Sequence, residues 1–529
     1  MSDRVYLYDS TLRDGAQTFG IDFSTSDKLD IANWLDEIGI DYIEAGWPGA
    51  NPTDDAFFAA PPKLAKAKLT AFGMTFRPNG EAKTDESLQK VLAAPTKTVC
   101  LVGKSWDFHV TETLHTSLEE NLRMVAETVA FAKKKNKEVL FDAEHFFDGY
   151  AANPGYALEV IKTAFANGAR WIVLCDTNGG TLPHVVERTI KKITNHIAGE
   201  NLGIHCHNDC ELAVANSLAA IEAGARQIQG TLNGVGERCG NGNLISLLPT
   251  LMLKLGYKTG VTSKGLEKIT SLSRALDERL NRASNPYAAY VGSAAFTHKG
   301  GLHISAVNKN PQSYEHIAPE KVGNSRRILV SDQSGKAAVI ARLKTLGLNP
   351  DAYKKEAIDG LINEVKQREG RGYSYDSADA SFALLAYRIL ENVPEYFRLE
   401  SFRVLDERRF AENGEIASLS EATAKIRIGR MRKLTVAEGN GPVNALDKAM
   451  RKALSGRYPL LKQTRLIDFK VRILTPDAGT EAITRVLIES ADDSGKRWCT
   501  MGVSVNILDA SYHALSDSLI YALFRFGIK

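Results

Sequence analysis

Cysteine is scarce in this chain, with six residues in 529 and no Cys-x-x-Cys pair. That scarcity excludes a disulfide framework and fits a reducing compartment. Long apolar runs are missing too, since no stretch approaches the ~18 residues a membrane span needs. A dominant charge is also absent: 66 Lys and Arg stand against 63 Asp and Glu, for a net charge of +3. Neither nucleic acid nor an anionic membrane is therefore expected as a partner. Basic clusters such as Lys133-Lys134-Lys135 read as solvated helix surface. Met1-Ser2-Asp3-Arg4 runs straight into a predicted strand without an apolar signal segment, and the expected location is the cytoplasm.

What is present is a regular beat. A chain of 529 residues, 44% hydrophobic and 24% charged, is too long for one ordinary core and reads as two to four globular units. Short β-rich runs fall at 5–8, 42–45, 69–72, 98–102, 138–143, 171–175, 203–206 and 227–231. Amphipathic helical patterns such as 27–38, 118–135, 155–167 and 211–223 lie between them, several ending at a glycine. Eight alternating βα units over about 250 residues predict an α/β fold, a closed parallel (β/α)8 TIM barrel over 1–264.

From 265 to 394 the beat is lost, and a mainly helical connector is expected. Ser284-Asn285-Pro286-Tyr287 and Asn308-Lys309-Asn310-Pro311 read as irregular links, and 370–376 as a loop or hinge before a helix over 378–391. The connector carries one polar cluster, Thr297-His298-Lys299-Gly300-Gly301-Leu302-His303. Residues 395–529 hold a weak internal repeat. Strands at 424–429 and 433–438 precede a proline-opened helix with Val443, Leu446, Met450 and Ala453 on its buried stripe. Strands at 483–490 and 497–504 precede another, with Tyr512, Leu515, Leu519 and Leu523 inward. Two strand-strand-helix units predict one α+β pseudo-repeat domain, neither unit burying a core alone.

In a parallel barrel, chemistry gathers on the loops after the strands. Arg13 and Asp14 follow the first strand, Glu144 the fifth, and Asp176 and Thr177 the sixth. His205 and His207 end the seventh, and Glu237, Arg238 and Asn241 follow the eighth. Strand alternation points both histidines of His205-Cys206-His207 one way and Cys206 the other, so the pair can grip one divalent cation. Asp14 supplies a carboxylate and Asn241 an amide oxygen as fourth ligand. Nitrogen and oxygen donors without thiolate favour octahedral Mn²⁺, Mg²⁺, Co²⁺ or Zn²⁺, the imidazoles weighing against Mg²⁺.

Arg13 reads either as an ion pair sealing the barrel end or as a fixed cation aimed at substrate oxygen. Apolar neighbours are expected to raise the pKa of Glu144, fitting it to acid–base work or to support of the site. Thr177 offers a hydroxyl to a carboxylate or a cap to the following helix. The glycines of 234–243 lack both the Walker lysine and the dinucleotide spacing, so they read as a tight turn that places Asn241.

Asp9-Ser10-Thr11-Leu12-Arg13-Asp14-Gly15-Ala16-Gln17, His205-Cys206-His207-Asn208-Asp209 and Gly236-Glu237-Arg238-Cys239-Gly240-Asn241 resemble the DRE-TIM metallolyase superfamily. The resemblance is to its Claisen-condensing branch of 2-isopropylmalate, homocitrate and citramalate synthases. Residues 42–52, 103–109 and 175–180 are most similar to the citramalate synthases. The resemblance implies an acyltransferase that joins acetyl-CoA to a 2-oxo acid, pyruvate in the citramalate case, on a divalent metal. It implies Asp14, His205 and His207 as ligands with Asn241 as the fourth, and Arg13 polarising the ketone. Glu144 would lie near the reacting groups and Thr177 on the substrate carboxylate. His298 and Tyr314 would come from the connector, in cis or from a neighbouring subunit, for deprotonation or thioester hydrolysis. The terminal repeat is similar to the allosteric domain of these synthases, which implies a homodimer and feedback inhibition by isoleucine.

Overall fold

The computed structural model describes residues 4–280, 282–328, 336–375, 378–410 and 416–528. The chain divides into two compact units, Met1–Phe296 with Ile317–Arg326, and Thr297–His316 with Arg327–Lys529. In the first unit eight parallel strands close into a barrel in sequence order. They are β1 (Tyr6–Asp9), β2 (Tyr42–Gly46), β3 (Lys68–Met74), β4 (Thr98–Lys104), β5 (Glu138–Glu144), β6 (Trp171–Asp176), β7 (Leu202–Cys206) and β8 (Gln227–Gly230). Closure sets β1 beside β8, with Tyr6 opposite Gln227 and Asp9 opposite Gly230. All eight strands stand where the hydrophobic pattern places them.

Both faces of each strand are buried, so successive residues serve two different cores. Tyr8, Phe72, Cys100, Leu140, Trp171, Val173 and Cys175 fill the barrel interior. Leu7, Val99, Leu101, Ile172, Leu174 and Ile204 pack outward under the helices. Trp171, the first residue of β6, fills the end remote from the mouth and donates its indole N–H to the Tyr42 hydroxyl at 3.1 Å.

The helices follow their sequence signals closely. Ser24 and Asp27 form a reciprocal capping box that starts Thr25–Ile38, and Gly39 stops it with a left-handed φ of 103°. Ser117 caps Leu118–Lys134, where Glu119 and Glu120 occupy the positive end of the helix dipole and exposed Lys133 and Lys134 the negative end.

In the second unit β9 (Thr297–His298) pairs with β10 (Arg327–Ile328). Helices Gly301–Lys309, Lys336–Thr345, Lys355–Gly370 and Asp379–Leu390 bury Ile304, Leu343, Leu361, Val365, Phe382 and Leu385 in a core of their own. Of the expected hinge, Gly370 ends the helix before it, residues 371–375 form a loop, and Asp376 lies outside the described residues. Two three-stranded antiparallel sheets follow. One is β11 (Arg398–Phe410), β12 (Ile416–Ile428) and β13 (Met431–Gly439). The other is β14 (Thr464–Ile473), β15 (Thr484–Asp492) and β16 (Arg497–Ser504).

Each terminal unit is therefore strand-strand-strand-helix, which corrects the two-strand reading. The missed strands, β11 and β14, both carry a register shift, between Leu399 and Ser401 and between Leu466 and Asp468. Such a shift breaks the period-two alternation by which a strand is recognised. Helices Pro442–Leu454 and Ile507–Arg525 bury Leu446, Met450, Ala453, Leu515, Leu519 and Leu523, with Val443 and Tyr512 at the margin, in one core spanning both halves. Among the described residues no helix is long and apolar enough to cross a membrane.

A Cβ at Gly39 would lie 2.3 Å from the carbonyl oxygen of Gly260, in a backbone conformation that side chains disfavour. Gly39→Ala is expected to cost on the order of 2 kcal/mol or more in urea unfolding of the barrel; wild-type stability would contradict this account of the helix stop.

Candidate active site at the barrel mouth

The loop after β1 is fastened before it reaches the mouth. Ser10 donates its N–H to the Gly230 carbonyl at 2.9 Å. The Asp9 carboxylate accepts from the Thr11 N–H at 2.9 Å and hydroxyl at 2.8 Å, and the Leu232 N–H donates to that hydroxyl at 2.9 Å. Burial of Asp9 pushes its pKa up to about 7, against the lowering effect of Thr11.

Arg13 then lies between two carboxylates. Its Nε donates to Glu44 Oε2 at 2.6 Å, one terminal nitrogen lies 3.1 Å from Asp14 Oδ2, and the guanidinium sits 4.0 Å from the Phe72 ring centre. Glu44 is fully buried and takes a second hydrogen bond, at 2.6 Å, from the Tyr8 hydroxyl. Burial alone would lower the Arg13 pKa, but Glu44 and Asp14 outweigh it and hold the charge firmly. Arg13 thus forms the ion pair and also lines the central cavity.

Asp14, His205 and His207 form the one cluster of three His, Cys, Asp or Glu residues spaced for a metal ion among the described residues. The two Nε2 atoms lie 3.6 and 4.0 Å from Asp14 Oδ2, with ring centres 5.1 Å apart. Cys206 packs into the outer core, as alternation requires. Burial pushes the Asp14 pKa up, but Arg13, His205 and His207 together bring it down to about 2. Burial first and His205 second lower His207 to about 4, so its ring stays neutral and able to ligate.

Asn241 joins this cluster through its Nδ2, which donates to Asp14 Oδ1 at 3.1 Å and to the Val235 carbonyl at 3.3 Å. A Cβ on Gly236 would lie 2.0 Å from that nitrogen, so the glycine-rich turn clears the space the amide occupies. The buried Asn241 Oδ1 and His207 Nδ1 have no hydrogen-bond partner among the described residues. Unused buried acceptors are costly unless something fills them. Two imidazoles, an ionised carboxylate and an open amide oxygen suit a divalent cation.

A cavity of about 320 Å³ opens over this cluster, lined also by Trp47, Phe72, Lys104, Asp142, Glu144 and Thr177. The structure corrects one expectation here. Glu144 is ion-paired with Lys104 and its side chain is 26% exposed, so its immediate partner is an ammonium group rather than an apolar shell. Thr177 does not cap the helix after it; its hydroxyl accepts from the His145 N–H at 2.9 Å, which leaves its own proton to donate. His298 and Tyr314 belong to the second unit. Buried His298 has its Nε2 3.2 Å from Glu315 Oε1, and half-exposed Tyr314 stacks on His303 with ring centres 4.0 Å apart.

Four residues of this network escaped the motif reading: Glu44, Lys104, Asp142 and Gln229. Gln229 Oε1 lies 2.8 Å from His205 Nδ1, and Gln229 Nε2 donates to Asp142 Oδ1 at 2.9 Å. Burial raises the Asp142 pKa to about 6, against the pull of His205. Their signal was available: each is a polar residue within a buried barrel strand or at its carboxyl end, as in Tyr42-Ile43-Glu44-Ala45 and Gln227-Ile228-Gln229-Gly230.

A closed parallel barrel with this mouth is the class described as HMGL-like, whose family model matches residues 4–273. A homocitrate synthase post-HMGL domain-like model matches 290–372, and a LeuA allosteric (dimerisation) domain model matches 376–523. The chain is 49% identical over 528 residues to an (R)-citramalate synthase of Aquifex aeolicus, covering 99% of both chains. It is 48% identical over 523 residues to one of Geobacter sulfurreducens, covering 98% of both. A 2-isopropylmalate synthase of Methanocaldococcus jannaschii is 30% identical, over 98% of this chain and 94% of that one. The chain belongs to the (R)-citramalate synthase family.

Removing one member of a buried charge pair costs more than replacing both. Glu44→Leu is expected to destabilise the barrel by about 3 kcal/mol in denaturant unfolding, and Arg13→Met with Glu44→Leu to recover much of that loss. Equal loss in the single and double variants would contradict the pairing.

Proposed function

We propose that this chain condenses acetyl-CoA with pyruvate and hydrolyses the resulting thioester, releasing (R)-citramalate and CoA. The observation that carries the reading is the convergence of Arg13, Asp14, His205, His207 and Asn241 on one buried corner, in a chain 44–49% identical to five (R)-citramalate synthases. The 2-isopropylmalate synthase reading is not favoured, since that relative stands at 30%.

Asp14, His205, His207 and Asn241 would hold a divalent cation, Mn²⁺, Mg²⁺, Co²⁺ or Zn²⁺, which when bound supplies a Lewis acid for the 2-oxo acid. Arg13, fixed by Glu44, stabilises the negative charge that grows on the ketone oxygen as the carbon–carbon bond forms. Thr177 donates its hydroxyl proton to the substrate carboxylate. Glu144 and Lys104 flank the reacting groups from the cavity edge. His298, oriented by Glu315, takes a methyl proton from acetyl-CoA, and Tyr314 assists hydrolysis of the thioester, in cis or from a second subunit.

In this reading residues 1–264 catalyse, 265–394 connect and supply His298 and Tyr314, and 395–529 regulate. A homodimer is supported by the LeuA-type match and by exposed Leu434, Val471 and Ile473 on the terminal sheets. Isoleucine inhibition is supported by a cavity of about 610 Å³ in which Val443, Leu461, Leu466 and Phe469 accompany Asp447 and Arg451. An apolar wall beside groups of both signs suits an amino acid. Six free cysteines accord with work in the cytoplasm.

CoA release measured with pyruvate, 2-oxoisovalerate and 2-oxoglutarate is expected to favour pyruvate by at least about 100-fold in kcat/KM; preference for a larger acid overturns the assignment. Asp14→Ala is expected to weaken Mn²⁺ binding by at least about 100-fold in calorimetry and to abolish turnover, and full retention of either would remove Asp14 from the ligand set. Val443→Trp, which fills the terminal cavity, is expected to relieve isoleucine inhibition without lowering basal turnover. Wild-type inhibition in that variant would place the effector elsewhere.

A further inference from the structure

His205 meets different neighbours at its two ring nitrogens. Nε2 faces Asp14 at 3.6 Å, and Nδ1 lies 2.8 Å from Gln229 Oε1. Gln229 sits directly opposite His205 in the β7–β8 register, is fully buried, and reaches Asp142 Oδ1 with its Nε2 at 2.9 Å. An amide has distinct ends, and Asp142 decides which end goes where. Its oxygen accepts, so the amide must present NH₂ to it; the reverse would set two oxygens against each other. That orientation leaves only Oε1 for His205. A carbonyl oxygen only accepts, so His205 must carry its proton on Nδ1, and its lone pair is confined to Nε2.

We propose that Gln229 and Asp142 are positioning residues that lock His205 in the Nδ1–H tautomer and present its Nε2 lone pair to a divalent cation. The proposal rests on the metal-site reading above and adds its supporting layer. The three side chains come from β5, β7 and β8, so the lock is built on strands, not on loops. The group next to the imidazole is a neutral amide, which fixes the tautomer and sets the Asp142 carboxylate one side chain further back. Asp142 touches Gln229 and the Cys100 thiol, and it feels the charges of His205, Glu44 and Arg13. His207 has no such partner, since its Nδ1 is unbonded among the described residues. The lock therefore singles out one of the two imidazoles.

The test uses full-length protein with ¹⁵N-labelled histidine, stripped of metal, and Mn²⁺ and Zn²⁺ as probes. Wild-type His205 is expected to show a protonated Nδ1 and a bare Nε2. Gln229→Met, close in volume, is expected to lose that preference and to bind both cations about 10–100-fold more weakly. Gln229→Glu combined with Asp142→Asn restores a donor facing an acceptor: the amide introduced on β5 can donate to the carboxylate introduced on β8, and that carboxylate accepts from His205. This double variant is expected to regain the tautomer and to bind within about threefold of wild type, a recovery that a purely space-filling role would not give. An unchanged tautomer with unchanged affinity in Gln229→Met, or failure of the folded double variant to recover, overturns the lock. Wild-type protein that binds neither cation overturns the metal-site reading, while the tautomer in the metal-free protein decides the lock separately.

Discussion

A buried guanidinium held between two carboxylates governs the barrel mouth. Arg13 shares its charge between Glu44 and Asp14, and this sharing lets three ionic groups stand where water is largely excluded. Asp14 stays ionised at about pKa 2 because Arg13 and the two histidines surround it, and that ionised state makes it useful to a cation. Glu44 is the end point of the arrangement. It arises from the middle of β2, is held by Tyr8 from β1, and fixes the angle at which Arg13 enters the cavity. The loop bearing Arg13 is meanwhile tied to β8 through Ser10 and Thr11. The charged corner is therefore complete only in the closed sheet.

Much of this was legible in the sequence, because its signals are local. Short β-rich runs alternating with amphipathic helical patterns marked all eight barrel strands, and the alternation within His205-Cys206-His207 already separated two inward imidazoles from an outward thiol. What escaped depended on ring closure. Glu44, Asp142 and Gln229 are polar residues inside buried strands, and no local pattern tells which loop or strand each will face. Glu144 shows the same limit from the other side: Phe141 and Phe146 suggested an apolar surrounding, but Lys104, across the β4–β5 register, supplies an ammonium group instead. In the terminal domain the losses came from register, since β11 and β14 each slip by a residue and forfeit the pattern that would have disclosed them.

The mouth mixes rigidity with openness in a way suited to a small polar acceptor. Strand-borne groups carry the tautomer, the guanidinium angle and the floor, while loop-borne Thr177, Glu237 and the turn around Asn241 line the rim. Lys104 and Glu144 pair with each other at the edge, while Arg13, shared between Glu44 and Asp14, is a cation that lines the centre of the cavity. A 2-oxo acid, with its carboxylate bonded directly to the ketone carbon, presents its oxygens within one short span.

The single core of the terminal domain carries a consequence for how the chain is made. All eight barrel strands have been made once β8 has emerged at Gly230, and the first unit, whose core runs on to Val322, can close on the ribosome while the terminal domain is still unsynthesised. The terminal unit has no such early stop. Ala422 and Ile426 are covered by Leu446 and Met450 of their own helix, but that layer shares its core with Leu515, Leu519 and Leu523, so it is completed only when the final helix arrives. Through that interval the nascent chain pairs a finished catalytic scaffold with an unfinished, adhesive tail, and this is the stage at which a chaperone or a neighbouring nascent copy has most to bind.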